Sequence, residues 1–170
     1  MNRQERRKLE QATAKTNNGK TDKHIDLSNL RKKANGEVFT PPKLVEEMLN
    51  KYPKDDFSKK EFKWLDPCCG ATVVFPIMIM FRLADGLRTS IPNPRERIKH
   101  IINNMLHMCE INEDAVNFGS AILSTYAMML SVYLEINDSS EYVDKVRTNY
   151  VEGYEEMIEA FYEEVSKKGA

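Results

Sequence analysis

Two short apolar segments of this chain each end at an acidic residue and lead into a stretch with helical periodicity. Residues 61–66 are stopped by Pro67 and turned by Gly70. Residues 105–109 are followed by Glu110 and then Asn112. Because strands that alternate with helices favour a parallel sheet, these two segments constrain the fold more than any other feature and predict an α/β class.

Apolar spacing predicts the elements around these strands. A helix that opens at Pro41 and Pro42 is expected to end near Tyr52, since proline is accepted in a first helical turn. The fold class expected from these patterns is α/β with about three parallel strands flanked by helices. The remaining predicted elements are helices at residues 72–87, from Pro94 onward, at 114–135 and at 155–168, and a third strand at 147–151.

Size and composition limit the chain to one ordinary core. It has 170 residues, of which 41% are hydrophobic and 30% charged, enough for one domain and a tail. The longest uninterrupted apolar run, residues 73–81, is about half of a membrane-spanning helix. The polar first residues do not form a secretory signal. We therefore expect a cytoplasmic protein without a membrane partner.

The three cysteines are Cys68, Cys69 and Cys109. An adjacent pair and one distant thiol cannot make a disulfide framework, and no His cluster or second Cys pair has zinc-ligand spacing. No metal site is predicted. All three cysteines are expected to be small buried hydrophobic residues.

Charge divides the chain into two predicted regions. The net charge of −1 combines +6 over residues 1–33 with −7 over the rest. We predict a basic arm at residues 1–33, partly disordered or helical, and a domain at residues 34–170. A basic arm suits DNA phosphates, so DNA is a candidate partner. A solvated tail is the alternative, because the arm has no aromatic residue on which a base could stack.

Asp66 and Glu110 mark the candidate binding site. In parallel sheets a ligand binds beyond the carboxyl ends of the strands, where a turn enters a helix. Asp66 precedes the turn at Gly70, where backbone could approach a ligand closely, and Glu110 is suited to accept hydrogen bonds from ribose hydroxyls. The alternative is that Asp66 only caps its turn and Glu110 only caps the next helix.

Three segments in order resemble the motifs of adenine-specific DNA methyltransferases of the type I and combined restriction-modification kinds. The family patterns are Gly-x-x-x-Thr-Pro, then Asp-Pro-x-x-Gly-x-Gly-x-Phe, then a segment with Asn-x-Leu-x-Gly-x-Glu/Asp-Ile. The resemblance covers roughly residues 34–125, the N-terminal cofactor-binding half. The matching segments here are Gly36-Glu37-Val38-Phe39-Thr40-Pro41, Asp66-Pro67-Cys68-Cys69-Gly70, and residues 100–116 with Asn104, Leu106, Glu110 and Ile111.

The resemblance implies a truncated Rossmann-like fold of the class I methyltransferases that use S-adenosylmethionine. By this resemblance, Thr40 and Pro41 would approach the methionine part of the cofactor, and Glu110 would hold its ribose. The loop around the cofactor would contain Asp66 and Gly70. The full set of cofactor-binding residues that it implies is Phe39, Thr40, Pro41, Asp66, Pro67, Gly70, Glu110 and Ile111.

Departures from the family pattern reduce the expected activity. The second glycine of the loop is either replaced by Thr72, whose side chain is expected to crowd the cofactor, or lost to a one-residue shift, since Phe75-Pro76 would fit the family pattern one place earlier. Tyr154 stands where the third family motif has an acid. The Asp/Asn-Pro-Pro-Tyr/Phe loop, which would bind the flipped base, is absent from the sequence. No catalytic residue is therefore assigned, and the single Asn-Pro pair, Asn93-Pro94, is interpreted as a helix start.

A missing strand would leave the sheet open. In the family the first strand lies between the second and the fourth, so without the fourth the edge at residues 62–66 would invite pairing. We expect a second polypeptide, another copy or the C-terminal segment to cover it. Two functions remain open: part of a split DNA adenine methyltransferase, or a non-catalytic methyltransferase-like binding or regulatory protein, for example in anti-restriction.

Overall fold

The computed structural model describes residues 38–168, which form a mostly helical α/β domain. The predicted basic arm at residues 1–33, and the Gly36-Glu37 start of the first motif, lie outside the described residues. The elements in chain order are α1 (Pro42–Leu49), a 3-10 turn (Lys54–Ser58), β1 (Trp64–Asp66), α2 (Val74–Gly86), α3 (Pro94–His100), a π-helical turn (Ile101–Met105), β2 (Leu106–Met108), α4 (Glu113–Ile136), α5 (Ser140–Glu152) and α6 (Tyr154–Lys168).

The sheet of the described chain has two parallel strands, β1 and β2. Trp64 pairs with Leu106, and Asp66 pairs with Met108. The chain between the strands runs through α2 and α3, which is the long connection that parallel strands require. Both strands therefore end at the same edge of the sheet, β1 at Asp66 and β2 two residues before Glu110.

The third predicted strand is wrong. Residues 147–151 lie inside α5, which buries Val143, Val146 and Tyr150. These residues recur at intervals of three and four, the period of a helix face. A window of five residues contains too little of that period to distinguish a helix from a strand. The described sheet accordingly has two strands, where about three were expected.

α2 forms the centre of the core. Its residues are apolar nearly all the way round, so the helix is buried rather than amphipathic. Pro76 is accommodated because it stands in the first turn, where backbone N–H groups have no partner within the helix. The prediction for this helix, residues 72–87, is correct to within two residues, and those for α4 and α6 are similarly close.

Helices cover only one face of the sheet in the described chain. Leu106 is buried and Trp64 packs on Phe57, with 4.7 Å between the ring centroids. On the opposite face Leu65 is 64% exposed and its neighbour His107 is exposed as well. A parallel sheet flanked by helices is normally covered on both faces. In the described chain only one face is covered, so this part of the prediction is met on one side of the sheet.

α4 is long and apolar enough, by length and composition alone, to cross a membrane. The membrane prediction from sequence rested on the longest uninterrupted apolar run, residues 73–81, which does not include this helix. A third of the most apolar 18-residue segment of α4 is buried within the domain. Leu123, Leu130 and Leu134 of this helix pack in the core. Core helices of globular domains commonly share this composition.

Candidate functional site

The turns that follow β1 and β2 are joined side by side. The backbone N–H of Cys109 donates to the carbonyl of Asp66 at 2.9 Å, and the N–H of Cys69 donates to the carbonyl of Cys109 at 3.1 Å. These bonds continue the parallel ladder beyond the strand ends. The structure thereby brings the two predicted acidic residues, Asp66 and Glu110, to one edge of the sheet.

Glu110 connects the two turns through its carboxylate. Its Oε2 accepts a hydrogen bond from the backbone N–H of Gly70 at 3.0 Å. Its Oε1 accepts from the N–H groups of Ile111 at 2.8 Å and Asn112 at 2.9 Å. Glu110 therefore holds both its own turn and the turn at Gly70, while the cap of the next helix, which the alternative interpretation assigned to Glu110, is Asn112.

Asp66 lies in a partly buried and negatively charged setting. Its Oδ1 accepts from the N–H of Cys68 at 3.1 Å. Burial raises the pKa of Asp66 above its ordinary value, and the charge of Glu110 raises it further, while the Cys68 hydrogen bond opposes the shift. Two carboxylates at one edge favour a ligand that brings positive charge or hydroxyl donors.

The expectation of three buried cysteines is wrong. Cys68 and Cys109 are exposed, and Cys69 is half-buried. All three lie in the turns beyond the strands, and of the three only Cys69 packs against the core. Burial raises the pKa of the Cys69 thiol to about 11, with added contributions from the charges of Asp66 and Glu110. In the described residues no group of three His, Cys, Asp or Glu side chains could hold a metal ion.

Open space adjoins the loop at Gly70. This residue has a φ of +62°, a left-handed conformation that favours glycine, yet a Cβ added there would meet no atom within 4 Å. Glycine is therefore required by the backbone and not by a neighbouring protein group. Ile111, beside Glu110, is fully exposed. A glycine backbone and an apolar side chain thus border the two acids on the solvent side.

Thr72 lies on the protein side of the loop. Its side chain is buried, with Oγ1 at 3.4 Å from the hydroxyl oxygen of Tyr154. The carbonyl of Thr72 accepts a hydrogen bond from the Tyr150 hydroxyl at 3.0 Å. Tyr150 supplies the donor that Pro76, four residues on, cannot provide. Thr72 was expected to crowd the cofactor. Its side chain instead points into the protein, so it does not occupy the solvent side of the loop.

The residues of the first motif reach the same loop by indirect contacts. Tyr154 donates to the carbonyl of Thr40 at 2.8 Å while its oxygen lies beside Thr72. The Phe39 ring packs edge-on against Tyr162 in a cluster that includes Ala71. Pro41 accepts the first backbone hydrogen bonds of α1 through its carbonyl, and Pro67 is exposed in the turn after β1.

Two residues that shape the loop after β1, Val73 and Gly119, were not identified from the sequence. Val73 has φ 45° and ψ 40°, a left-handed conformation that is costly for a β-branched residue and needs support from its surroundings. Gly119 of α4 provides that support, because a Cβ added there would lie 2.7 Å from Val73 Cγ1 and 3.1 Å from the Ala71 carbonyl oxygen. A glycine inside an apolar helix was the signal that could have identified this close approach.

Two surface cavities are formed by residues other than the predicted cofactor-binding ones. One, of about 530 Å³, is lined by residues of α4, α5 and α6 that include Phe118, Asn149 and Met157. The other, of about 490 Å³, lies before the strands and is lined by Lys60, Lys63 and His100 among others. Neither is lined by any predicted cofactor residue. The converging carboxylates and turns, and not cavity size, therefore define the candidate site.

The chain is similar to part of a Mycoplasma pneumoniae protein named "Uncharacterized adenine-specific methylase". The two are 41% identical over 75 residues, which are 42% of this chain and 18% of that relative. The chain thus spans less than a fifth of the relative that it matches. No protein-family model matches the chain, and no solved structure matches it significantly. The similarity supports a distant and partial relationship to methylases.

Proposed function

We propose that this domain binds S-adenosylmethionine beyond the carboxyl ends of β1 and β2, as the cofactor-binding part of a split or partnered DNA adenine methyltransferase-like protein. The observation that carries the proposal is the hydrogen bond from the Gly70 N–H to the Glu110 carboxylate, which joins the turns after both strands. The similarity to a protein named as an adenine-specific methylase supports the same reading.

The residues at the strand ends fit the cofactor by their chemistry. A carboxylate has about four acceptor positions, so Glu110, with three backbone donors, retains capacity for a ribose hydroxyl. The negative edge suits the sulfonium and ammonium charges. Covering the exposed Ile111 with an adenine ring would contribute on the order of 1 to 2 kcal/mol. When bound, the cofactor supplies a methyl group for transfer.

The proposal assigns catalysis and base recognition to another polypeptide segment. The 170 residues contain no Asn-Pro-Pro-Tyr sequence that could hold the target amino group. A partnered enzyme would obtain that loop from a second chain bound near the cofactor, so the domain is expected to be inactive alone.

The outer edge of β1 is the proposed attachment point for that second chain. The carbonyl of Asp66 bonds toward β2, and successive residues of a strand direct their peptide groups to opposite edges, so Leu65 directs its N–H and C=O away from β2. The side chain of Leu65 is also exposed to solvent. An added strand would satisfy these groups. Slow amide exchange at Leu65 only in the presence of a partner is the expected signature.

A non-catalytic methyltransferase-like binding or regulatory protein is the second candidate. The Glu110 carboxylate is already bonded to the N–H groups of Gly70, Ile111 and Asn112, as a purely structural residue would be. In this alternative the fold is retained as a binding surface, for example in anti-restriction, and the cofactor is not bound.

Titration calorimetry with S-adenosylmethionine separates the two candidates. The cofactor-binding proposal predicts a dissociation constant in the micromolar range, about −8 kcal/mol. Asp66→Ala should weaken binding by at least about tenfold, or about 1.4 kcal/mol. Asp144→Ala, which removes an exposed carboxylate on α5, should leave binding unchanged. Absence of binding at millimolar cofactor would favour the regulatory alternative.

The basic segment at residues 1–33 is proposed to contact DNA phosphates in a cytoplasmic restriction-modification setting. Its net charge of +6 opposes an acidic remainder of −7. Each phosphate neutralised by Lys or Arg makes binding more sensitive to salt. Deleting residues 1–33 should therefore lower both the affinity for duplex DNA and the salt dependence of binding. An unchanged affinity would favour the solvated-tail interpretation.

A further inference from the structure

The cavity between α4, α5 and α6 combines apolar and acidic side chains. Its volume is about 530 Å³, and its apolar and aromatic lining includes Phe118, Tyr126 and Met157. Glu152 and Glu156 line the same cavity, and both are exposed to solvent. We call it the acidic cavity. A segment that fits it would carry apolar side chains for the lining and positive charges for the two carboxylates.

Further glutamates extend the negative charge of the acidic cavity along α6. Residues 148–166 contain six glutamates and no Lys or Arg. Glu156, Ala160 and Glu163 recur at intervals of four and three, so they share the side of α6 on which Glu156 and Ala160 line the cavity. Glu159 and Glu163 are exposed, repel each other at their spacing of four, and form no ion pair within residues 38–168. A bound cationic segment would offset this repulsion.

We propose that residues 24–33 of the same chain bind in the acidic cavity. Three apolar residues of this segment, Ile25, Leu27 and Leu30, are followed directly by Arg31-Lys32-Lys33. Apolar side chains therefore stand beside three positive charges, which matches the two kinds of residue that line the cavity. The segment belongs to the basic region whose net charge of +6 opposes −7 over the rest of the chain, so the overall charges attract as well.

The described chain begins close to the acidic cavity. Phe39 packs against Phe161 with 6.4 Å between their ring centroids, and Phe161 packs against Phe118 at 5.2 Å. Because Phe118 lines the cavity, two ring contacts connect the start of the described chain with it. Residues 34–38, which join the proposed segment to Phe39, can span up to about 17 Å when extended. The connection is therefore long enough to reach the cavity without any rearrangement of the domain.

The chain's own segment is a better occupant than the same segment of another copy. A short covalent connection holds residues 24–33 at a high effective concentration near the cavity, which a second molecule reaches only at high protein concentration. The DNA phosphates proposed above would compete with the cavity for the same cations. The docking itself requires neither DNA nor the cofactor, so its failure would leave the proposed function untouched.

Disulfide cross-linking in the full chain tests the docking, in a background in which serine replaces the three natural cysteines. Leu30→Cys combined with Ala160→Cys, an exposed position that lines the cavity, should form an intramolecular disulfide on mild oxidation of dilute protein. The rate should be at least about tenfold higher than for Leu30→Cys combined with Thr89→Cys. Thr89 is an exposed neutral residue after α2 that does not line the cavity. Circular dichroism establishes that both variants fold.

Charge variants of the cross-linking pair separate docking from mere proximity along the chain. Glu152→Gln with Glu156→Gln should slow the disulfide at least about fivefold, because two carboxylates of the cavity no longer attract residues 31–33. Glu47→Gln with Asp55→Asn removes the same charge from exposed positions outside the cavity and should leave the rate unchanged. Equal rates in these two double variants, equal rates for the two cysteine pairs, or disulfides formed only between separate chains would overturn the proposal.

Discussion

The loop from Asp66 to Val73 and the strand that leads into it, β1, differ sharply in how the rest of the domain supports them. The loop makes hydrogen bonds or close packing contacts with four residues of the second strand turn, α4 and α5, namely Cys109, Glu110, Gly119 and Tyr150. In the described chain β1 has one neighbouring strand, and Leu65 is largely exposed.

The difference indicates where conformational precision is needed. Two left-handed residues, Gly70 and Val73, give the loop a shape that it would not hold by itself. Distant elements hold that shape, whereas β1 serves mainly as the base from which the loop starts. A binding loop on a rigid support is a common arrangement for ligand sites.

The largest effect on the candidate site is expected from filling the contact between α4 and the loop. Gly119→Ala would place a Cβ 2.7 Å from Val73 Cγ1 and 3.1 Å from the Ala71 carbonyl oxygen, so the loop must shift. We expect a loss of about 3 kcal/mol in the free energy of unfolding and much weaker cofactor binding. Chemical denaturation and calorimetry measure these two effects.

Two other glycines serve as controls for this substitution. Gly86→Ala places its Cβ 2.3 Å from the Phe57 carbonyl oxygen, far from the loop, and should lower stability without changing cofactor affinity. Gly153→Ala has its nearest atom at 3.4 Å and should be tolerated. Equal loss of affinity in Gly86→Ala and Gly119→Ala would mean that general destabilisation, and not the loop, explains the effect.

Removing the hydroxyl of Tyr150 should have the next largest effect. Tyr150→Phe leaves the buried Thr72 carbonyl without its donor, which we expect to cost about 1 to 2 kcal/mol in the free energy of unfolding. Burial raises the pKa of Tyr150, so the hydroxyl remains a donor at all ordinary pH values. Tyr133→Phe, a ring packed on Tyr142, is the control and should be nearly neutral. An equally neutral Tyr150→Phe would mean that this bond does not support the loop.

Sequence reasoning correctly predicted the elements that have strong local signals. Proline starts and apolar periodicity identified α1, α2, α4 and α6, and the two strands were found at residues 61–66 and 105–109, although both are shorter in the structure. The meeting of Asp66 and Glu110 followed from the geometry of parallel strands. The strand predicted inside α5 was wrong because five residues do not define a period.

The details of the candidate site could not be read from residue types. The inward position of Thr72 and the exposure of Cys68 and Cys109 depend on the left-handed turns at Gly70 and Val73. Those conformations are fixed by contacts with α4 and α5, more than forty residues later in the chain. Among residues 38–168, the lack of a helix over Leu65 is likewise a tertiary property.

Neutralising Asp66 should stabilise the domain slightly while weakening cofactor binding. The pKa of Asp66 is raised in the folded state from 3.8, so its ionised form opposes folding at neutral pH. Asp66→Asn should raise the melting temperature by about 1 to 2 °C at pH 7, a modest shift because the site is partly exposed. The gain should shrink as pH falls through the raised pKa of the folded state and vanish below 3.8, where the wild-type carboxyl is protonated in both states. A gain that stays constant with pH would contradict this assignment.

The smallest effect is expected at the open face of β1. Leu65→Thr should change the free energy of unfolding by less than about 0.5 kcal/mol, because the side chain is already exposed and threonine suits a strand. Leu106→Thr, on the paired strand, should cost about 2 kcal/mol because Leu106 is buried. Equal costs at the two positions would show that a partner already covers β1 in solution, and denaturation at low protein concentration would then separate the two.

Hydrogen exchange with and without S-adenosylmethionine tests the central claim most directly. If the cofactor binds beyond the strand ends, the amides of residues 66–73 and 109–112 should exchange more slowly on its addition, while those of Leu65 and α5 change little. Unchanged exchange in both turns at saturating cofactor, or protection confined to the cavity lined by α4, α5 and α6, would contradict the proposed site.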